Sequence, residues 1–217
     1  MGACQMWRGK IVMLTLVIGN KNTSSWSLRP WIALRHFGIP FEEAHVRLRQ
    51  PDTREQCLAH SPSGKVPVLK DGHFLIWDSL AIMEYLADSF PDPGLWPEHR
   101  QVRARARSVS AEMHAGFADL RRDMPMDIAN NHEMPALSDG LDRDIRRVLE
   151  VWDDCLDAAS GGPYLFGSFT IADAMFAPVV TRFLTYRTPV PGRSARYMES
   201  IMALDAMQRW VRAARRE

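Results

Sequence analysis

Two hydrophobic periods divide this chain. Through residue 90, short apolar runs of strand character alternate with helical stretches, and beyond residue 97 the apolar positions recur only every three or four residues. Residues 11–18 form an apolar run closed by Gly19-Asn20-Lys21-Asn22, the pattern of a buried strand and its turn. A serine-rich loop over 23–31 feeds a helix that Gly38 and then Pro40 stop. Proline lacks an N–H, and that loss is harmless only in a first helical turn, so Pro30 sets the expected helix start between residues 25 and 27. Residues 41–48 alternate, with Ala44, Val46 and Leu48 on one face and Glu43, His45 and Arg47 on the other. A weak polar helix follows over 51–59. Residues 66–69 and 74–77 flank Asp71-Gly72 as a tight hairpin, and Ile82, Tyr85 and Leu86 then mark a helix that begins near Ser79.

The order strand, helix, strand, weak helix, hairpin, helix predicts a mixed four-stranded sheet, because a β-α-β unit is parallel and a hairpin antiparallel. Pro67 cannot donate to a ladder, so it belongs at a strand start or bulge and leaves backbone groups of Val66 free of the sheet. Pro91-Asp92-Pro93-Gly94-Leu95-Trp96-Pro97 reads as a linker over 91–97. It separates an α/β domain over 1–90 from an all-helical domain over 98–217, with 1–10 an extension. In the helical part, Val102, Ala106, Val109, Met113, Phe117 and Leu120 predict one long amphipathic helix that stops before Pro125, followed by a loop over 126–137. Leu141, Ile145, Val148, Leu149, Trp152, Cys155 and Leu156 form the next stripe. Thr170 and Asp173 can satisfy each other's N–H as a capping box, and Pro178 should kink the helix they open. Residues 193–216 add one or two helices that turn Tyr197, Ile201, Met207, Trp210 and Val211 inward.

Composition narrows the function classes. The chain has 217 residues, 46% of them hydrophobic, and a formal charge of +1, which suffices for a real core and leaves no nucleic-acid footprint. Arg100, Arg103, Arg105 and Arg107 are local and read as a solvated helix face. Arg8 and Lys10 ahead of the first apolar run resemble a signal peptide, yet no small-residue cleavage site follows, and no run reaches membrane-spanning length. Cys4, Cys57 and Cys155 are odd in number and lack a paired spacing, which fits a reducing, cytoplasmic setting without structural disulfides. The histidines form no metal-ligand cluster, so no metal is expected. Met13 is a possible alternative start.

Candidate chemistry gathers at two helix starts. Asp78 and Ser79 stand at one, where free N–H groups and the positive dipole end attract a carboxylate or phosphate. Ser24 and Ser25 stand at the other, where serine is commonly a plain cap. Ser24-Ser25-Trp26-Ser27-Leu28-Arg29 after the first strand, Lys65-Val66-Pro67 before the third, and Asp78-Ser79-Leu80-Ala81-Ile82 opening the third helix together resemble the N-terminal domain of a cytosolic glutathione S-transferase. The first segment is most similar to the serine-type zeta class and related bacterial members. Ser-x-Thr-x-Ala-Asp at 168–173 resembles the capping box of that family's helical domain and extends the likeness over nearly the whole chain after residue 11.

The resemblance implies a thioredoxin-like domain followed by an all-helical one. It implies that Pro67 is cis, that the Val66 backbone pairs with the cysteinyl part of glutathione, and that Asp78 and Ser79 hold the γ-glutamyl end. Asp78 is shorter than the family's usual Gln or Glu. Matching back from Arg29 selects Ser24 over Ser25 as the donor to the sulfur that favours the thiolate, with Ser25, the alternative donor, by the peptide backbone and Trp26 and Lys65 also at the site, and Met113 and Phe117 would line a pocket for a small hydrophobic electrophile. The implied protein is a cytoplasmic homodimeric transferase with glutathione as co-substrate and no metal. A zeta-type cis-trans isomerase of a dicarboxylic diketo acid and an idle binding protein remain alternatives. The zeta class carries cysteine two residues after its serine, where this chain has Trp26.

Overall fold

In the computed structural model, which describes residues 13–159 and 161–217, the first part of the chain runs β1 (Leu14–Ile18), α1 (Ser25–His36), β2 (Phe41–His45), α2 (Thr53–Leu58), β3 (Val68–Asp71), β4 (Phe74–Trp77) and α3 (Ser79–Ser89). The expected extension over 1–10, with Cys4, Arg8 and Lys10, and the start of the first apolar run lie outside the described residues. The sheet order is β2-β1-β3-β4, with β1 and β2 parallel and the other two pairs antiparallel. Leu14, Leu16 and Ile18 face the main core, while Val17 points the other way and joins Val46, Cys57 and Val68 in a smaller cluster. Both faces of β1 are covered, so its sequence is apolar nearly throughout.

Two registers differ from the sequence expectation. The third strand begins at Val68 rather than 66, because Pro67 offers no ladder donor, and Asp71 pairs with Phe74, so Gly72-His73 rather than Asp71-Gly72 makes the turn. Gly72 has φ +58°, which a residue without Cβ adopts freely. The second strand ends at His45, although Ala44 and Leu48 still pack with Val46 on the small cluster. On its other face Glu43 is drawn inward. Burial would raise its pKa, but Lys21 Nζ (2.6 Å), Trp31 Nε1 (2.8 Å) and Arg35 Nη2 (3.1 Å) donate to it and bring the carboxyl down to about 2.

The rest is helical: α4 (Arg100–Ala115), α5 (Ala118–Asp123), α6 (Asp139–Ala158), α7 (Ile171–Thr185), α8 (Gly192–Ala203) and α9 (Asp205–Ala214). The single long helix expected up to Pro125 is broken. At Gly116-Phe117 the backbone turns, with Phe117 at φ +62°, and a Cβ on Gly116 would stand 2.9 Å from the Glu112 carbonyl. Arg121 then turns back and donates to the Gly116 carbonyl (3.0 Å) and to that of Met113, placing its charge on the negative end of α4. Val102, expected inside, is 38% exposed in the first turn of α4, ahead of the packed stretch that starts at Ala106.

Helix α7 is buried along almost its whole length and packs on α1 and α4. Its start is closed as expected: Thr170 Oγ1 accepts from the Ala172 N–H (3.2 Å), and Asp173 accepts from the N–H groups of Thr170 (2.8 Å) and Leu165 (3.0 Å). Pro178 lies inside α7, and Thr181 Oγ1 donates to its carbonyl at 2.8 Å. The last stretch forms two helices, with Tyr197, Ile201, Met207, Trp210 and Val211 buried. No described helix is long and apolar enough to cross a membrane.

Candidate functional site

The hairpin and the start of α3 frame one side of a cleft of about 430 Å³, lined by Trp26, Lys65, Val66, Pro67, Asp78 and Ser79, with Ser63 and Trp77 completing it. The Val66–Pro67 peptide bond is cis, and sheet pairing starts only at Val68, so Val66 meets the cleft outside the ladder. Asp78 caps α3 through Oδ1, which accepts from the N–H groups of Leu80 (2.9 Å) and Ala81 (3.3 Å). Its backbone has φ +77°, a region that residues with a Cβ rarely occupy and that is held mostly at functional sites. Asp78 Oδ2 pairs with His114 Nε2 at 3.1 Å across from α4. Ser79, 1% exposed, accepts from Arg29 Nη1 at 3.4 Å.

The start of α1 adds Trp26 to the cleft lining. Ser24 precedes the helix, yet its hydroxyl caps no N–H and instead donates to Ser27 Oγ (2.8 Å), which also accepts from the Gly19 N–H (3.1 Å). Ser25 Oγ accepts from Arg182 Nη2 at 3.2 Å and keeps its own proton free of these bonds. Neither serine acts as the plain side-chain cap that a sequence suggests, and both are nearly buried. Helix α1 starts at Ser25 as expected, but Pro30 sits one turn deeper than a first-turn proline and has no N–H to give the Trp26 carbonyl.

Trp26 is clasped by cations. The Arg29 guanidinium lies 4.3 Å from the Trp26 ring centroid, Arg121 lies 4.8 Å away, and the His114 ring meets it edge-on at 5.2 Å. Arg29 is 1% exposed and its Nε has no partner. Burial first, then repulsion from Arg121 and Arg182, pushes its pKa well down. Arg182, 5% exposed, donates to Ser25 and to the Met124 carbonyl at the end of α5, and burial together with Arg121 lowers it to about 10. Burial also depresses His114, with Asp78 opposing and Arg29 and Arg121 adding to the shift.

Trp26, Lys65, Val66, Pro67, Asp78 and Ser79 thus line one cleft, whereas Ser24 and Ser25, 5% and 6% exposed, are not part of its lining. Met113 and Phe117 are buried core residues, 2% and 6% exposed, and do not line this cleft. The sequence reading missed Ser63, Trp77, His114, Arg121 and Arg182. The helical period available for the last three cannot say that a break at Gly116 aims Arg121 back at Trp26. Among the described residues no cluster of His, Cys, Asp or Glu could hold a metal ion.

Residues 23–89 match the family model described as glutathione S-transferase, N-terminal domain, and residues 135–213 match the corresponding C-terminal domain. A glutathione S-transferase-like protein, OpS6, of Beauveria bassiana is 31% identical over 159 residues, covering 69% of this chain and 72% of that one. Maleylacetoacetate isomerase of Rattus norvegicus is 28% identical over 200 residues, 87% of each protein. A Burkholderia glutathione transferase homologue solved with bound glutathione superposes with TM-score 0.71 at 26% identity, covering 94% of this chain and 98% of that one. A bacterial maleyl pyruvate isomerase described as zeta class gives TM-score 0.71 at 26% identity, covering 92% and 97%.

Proposed function

Because the chain belongs to the glutathione S-transferase family, we propose that it binds glutathione in the cleft beside Val66 and uses the thiolate to attack a small electrophile. The carrying observation is that Val66, free of the ladder, and the start of α3 at Asp78 and Ser79 open into one cleft. An extended cysteinyl backbone pairs with Val66 as an added strand would. The γ-glutamyl carboxylate meets Ser79 and the N–H groups of α3, and the ammonium meets Asp78. Asp78 already serves two N–H groups and His114, and a carboxylate accepts about four hydrogen bonds, so it has capacity left. The sulfur then falls over the start of α1.

A free thiol has a pKa of about 8.5, and only the thiolate is a strong nucleophile. Lowering that pKa by one unit takes about 1.4 kcal/mol of preferential stabilisation of the anion. A hydroxyl donor with the dipole of α1 supplies about one to two units. We assign the donor to Ser24, whose proton turns from Ser27 to the sulfur. One observation favours Ser25 as a second reading: its hydroxyl accepts from Arg182 and has its proton to spare. The thiol proton leaves to solvent, and the thiolate adds to the electrophilic carbon or displaces its leaving group.

Glutathione-dependent cis-trans isomerisation is the second functional reading. The rat isomerase's 87% coverage supports it, and Trp26 in place of the cysteine expected of that class counts against it. We also propose a cytoplasmic homodimer. Phe74, 60% exposed on edge strand β4, supplies apolar surface for a second copy, and sedimentation equilibrium tests the dimer. Assays of glutathione conjugation to 1-chloro-2,4-dinitrobenzene and of isomerisation of a cis diketo diacid separate the activities. Conjugation supports the transferase, isomerisation alone the second reading, and binding of glutathione with neither activity overturns both.

A further inference from the structure

The turn that leads from β1 into α1 is held from the helical part of the chain. Lys21 donates its N–H to Glu217 Oε1 (2.7 Å), and its carbonyl accepts from Trp210 Nε1 (2.9 Å). Asn22 is tied at four atoms. Its N–H donates to Glu217 Oε2 (3.0 Å), its carbonyl accepts from the Ile128 N–H (3.3 Å), its Oδ1 accepts from the Ala129 N–H (2.8 Å), and its Nδ2 donates to Asp127 Oδ1 (2.9 Å). An asparagine that only shapes a turn bonds to the backbone of that turn, whereas these partners stand 105 to 195 residues away in the chain. Asp127 is itself fixed, by Asn130 Nδ2 (3.0 Å) and His132 Nε2 (2.8 Å). Only Thr23 separates Asn22 from Ser24, whose N–H donates to the Asn20 carbonyl (2.8 Å) and whose carbonyl takes the Leu28 N–H (3.2 Å) to open α1.

We infer that Asn22 is a positioning residue, through which Asp127 and Ala129 of the helical part set where Ser24 and the start of α1 stand. Its catalytic consequence rests on the thiolate reading above, whereas the hold on the turn stands on hydrogen bonds alone. A catalytic donor works within about 0.5 Å of its productive place, and a displacement of about 1 Å can cost about a hundredfold in rate. Ser25 has a tie of its own to α7 through Arg182, but the Ser24 hydroxyl bonds only to Ser27 of the same helix and moves with it. Loss of Asn22 therefore falls on Ser24 first. Glu217 is exposed, so its two bonds compete with water and the side-chain bonds of Asn22 carry more of the hold. Val66, Asp78 and Ser79, assigned to the rest of glutathione, belong to the hairpin and α3 and do not share these bonds.

The test uses the full chain with Asn22→Ala, with Asn22→Asp, and with Asn22→Asp combined with Asp127→Asn. The first removes both side-chain bonds. The second keeps an acceptor for the Ala129 N–H but sets two carboxylates against each other, and the combination restores a donor facing an acceptor with the direction reversed. In Asn22→Ala the bound glutathione thiol should titrate about half to one unit higher. Below that pKa, kcat with 1-chloro-2,4-dinitrobenzene should fall about three- to tenfold while the glutathione KM stays within about twofold. Asn22→Asp should lose at least as much, and the combination should recover most of it. Amide hydrogen exchange at Ser24 reads the hold apart from the chemistry and should be about tenfold faster in Asn22→Ala. Unchanged exchange at Ser24 overturns the inference, and so does a KM that rises as much as kcat falls or a combination that rescues nothing. If the thiol bound to the unaltered protein titrates at its free value, the thiolate reading falls, and exchange at Ser24 alone decides the hold: faster exchange in Asn22→Ala supports it and unchanged exchange overturns it.

Discussion

Two buried charged sites lie in this molecule, and they are built in opposite ways. At the start of α7, Asp173 is completely buried and is met by the N–H groups of Leu165 and Thr170 and by the Thr170 hydroxyl, at 2.8 to 3.1 Å. At the start of α1, Arg29 is equally buried, has one long hydrogen bond at 3.4 Å and an unpartnered Nε, and faces two further arginines. The first charge is closed by the fold itself, from the segment that leads into α7. The second is left open by the fold, which is the condition under which a ligand can close it.

The contrast is sharpest in mutants. Asp173→Ala leaves two buried N–H groups without acceptors and should cost about 2–4 kcal/mol in urea unfolding, with glutathione affinity of the folded protein unchanged. A matching loss of affinity in the folded fraction would mean that the two sites are not separate. Thr170→Ala removes one cap and should cost about 1 kcal/mol by the same measurement. Arg182→Met gives up two hydrogen bonds and relieves like-charge repulsion, so its stability should stay within about 1 kcal/mol of the parent. A loss as large as that of Asp173→Ala would make the arginine cluster scaffold.

Acid titration separates two carboxylates by sign. Burial raises Asp173 from 3.8 to about 6, against the pull of its hydrogen bonds. The folded state therefore holds that proton more tightly, and the contribution of Asp173 to stability is full below pH 3.8 and is lost as pH rises to about 6. Glu43 does the reverse: its contribution is present above pH 4.5 and is lost as pH falls toward 2. Asp173→Asn should remove the slope between pH 3.8 and about 6 and leave the lower one in place. An unchanged upper slope would show that another group produces it.

Local chemistry made the α/β half readable. Pro67, Gly72 and the Asp78-Ser79 start each constrain the backbone through their own atoms, so the cleft residues can be named from the chain, with errors of one or two residues in strand register. The capping box is equally local. The half of the site that comes from the helices was illegible for a physical reason. A period of three to four continues through Gly116 and Phe117, and only packing decides that the helix breaks there and sends Arg121 back over Trp26. The same period marked Met113 and Phe117 as inward, which is correct, without saying that inward means core and not cleft. The roles of Ser24 and Ser25 turn on Ser27 and Arg182, and Arg182 is 157 residues from Ser25 in the chain.

The central claim is that the start of α1 stabilises the glutathione thiolate, and an ultraviolet titration of the bound thiol measures that directly. The bound thiol should titrate about one to two units below the free value of about 8.5, with the shift lost in Ser24→Ala and kept in Ser25→Ala. Loss in Ser25→Ala alone transfers the role to the serine that Arg182 touches. A bound thiol in the unaltered protein that titrates at the free value contradicts the account.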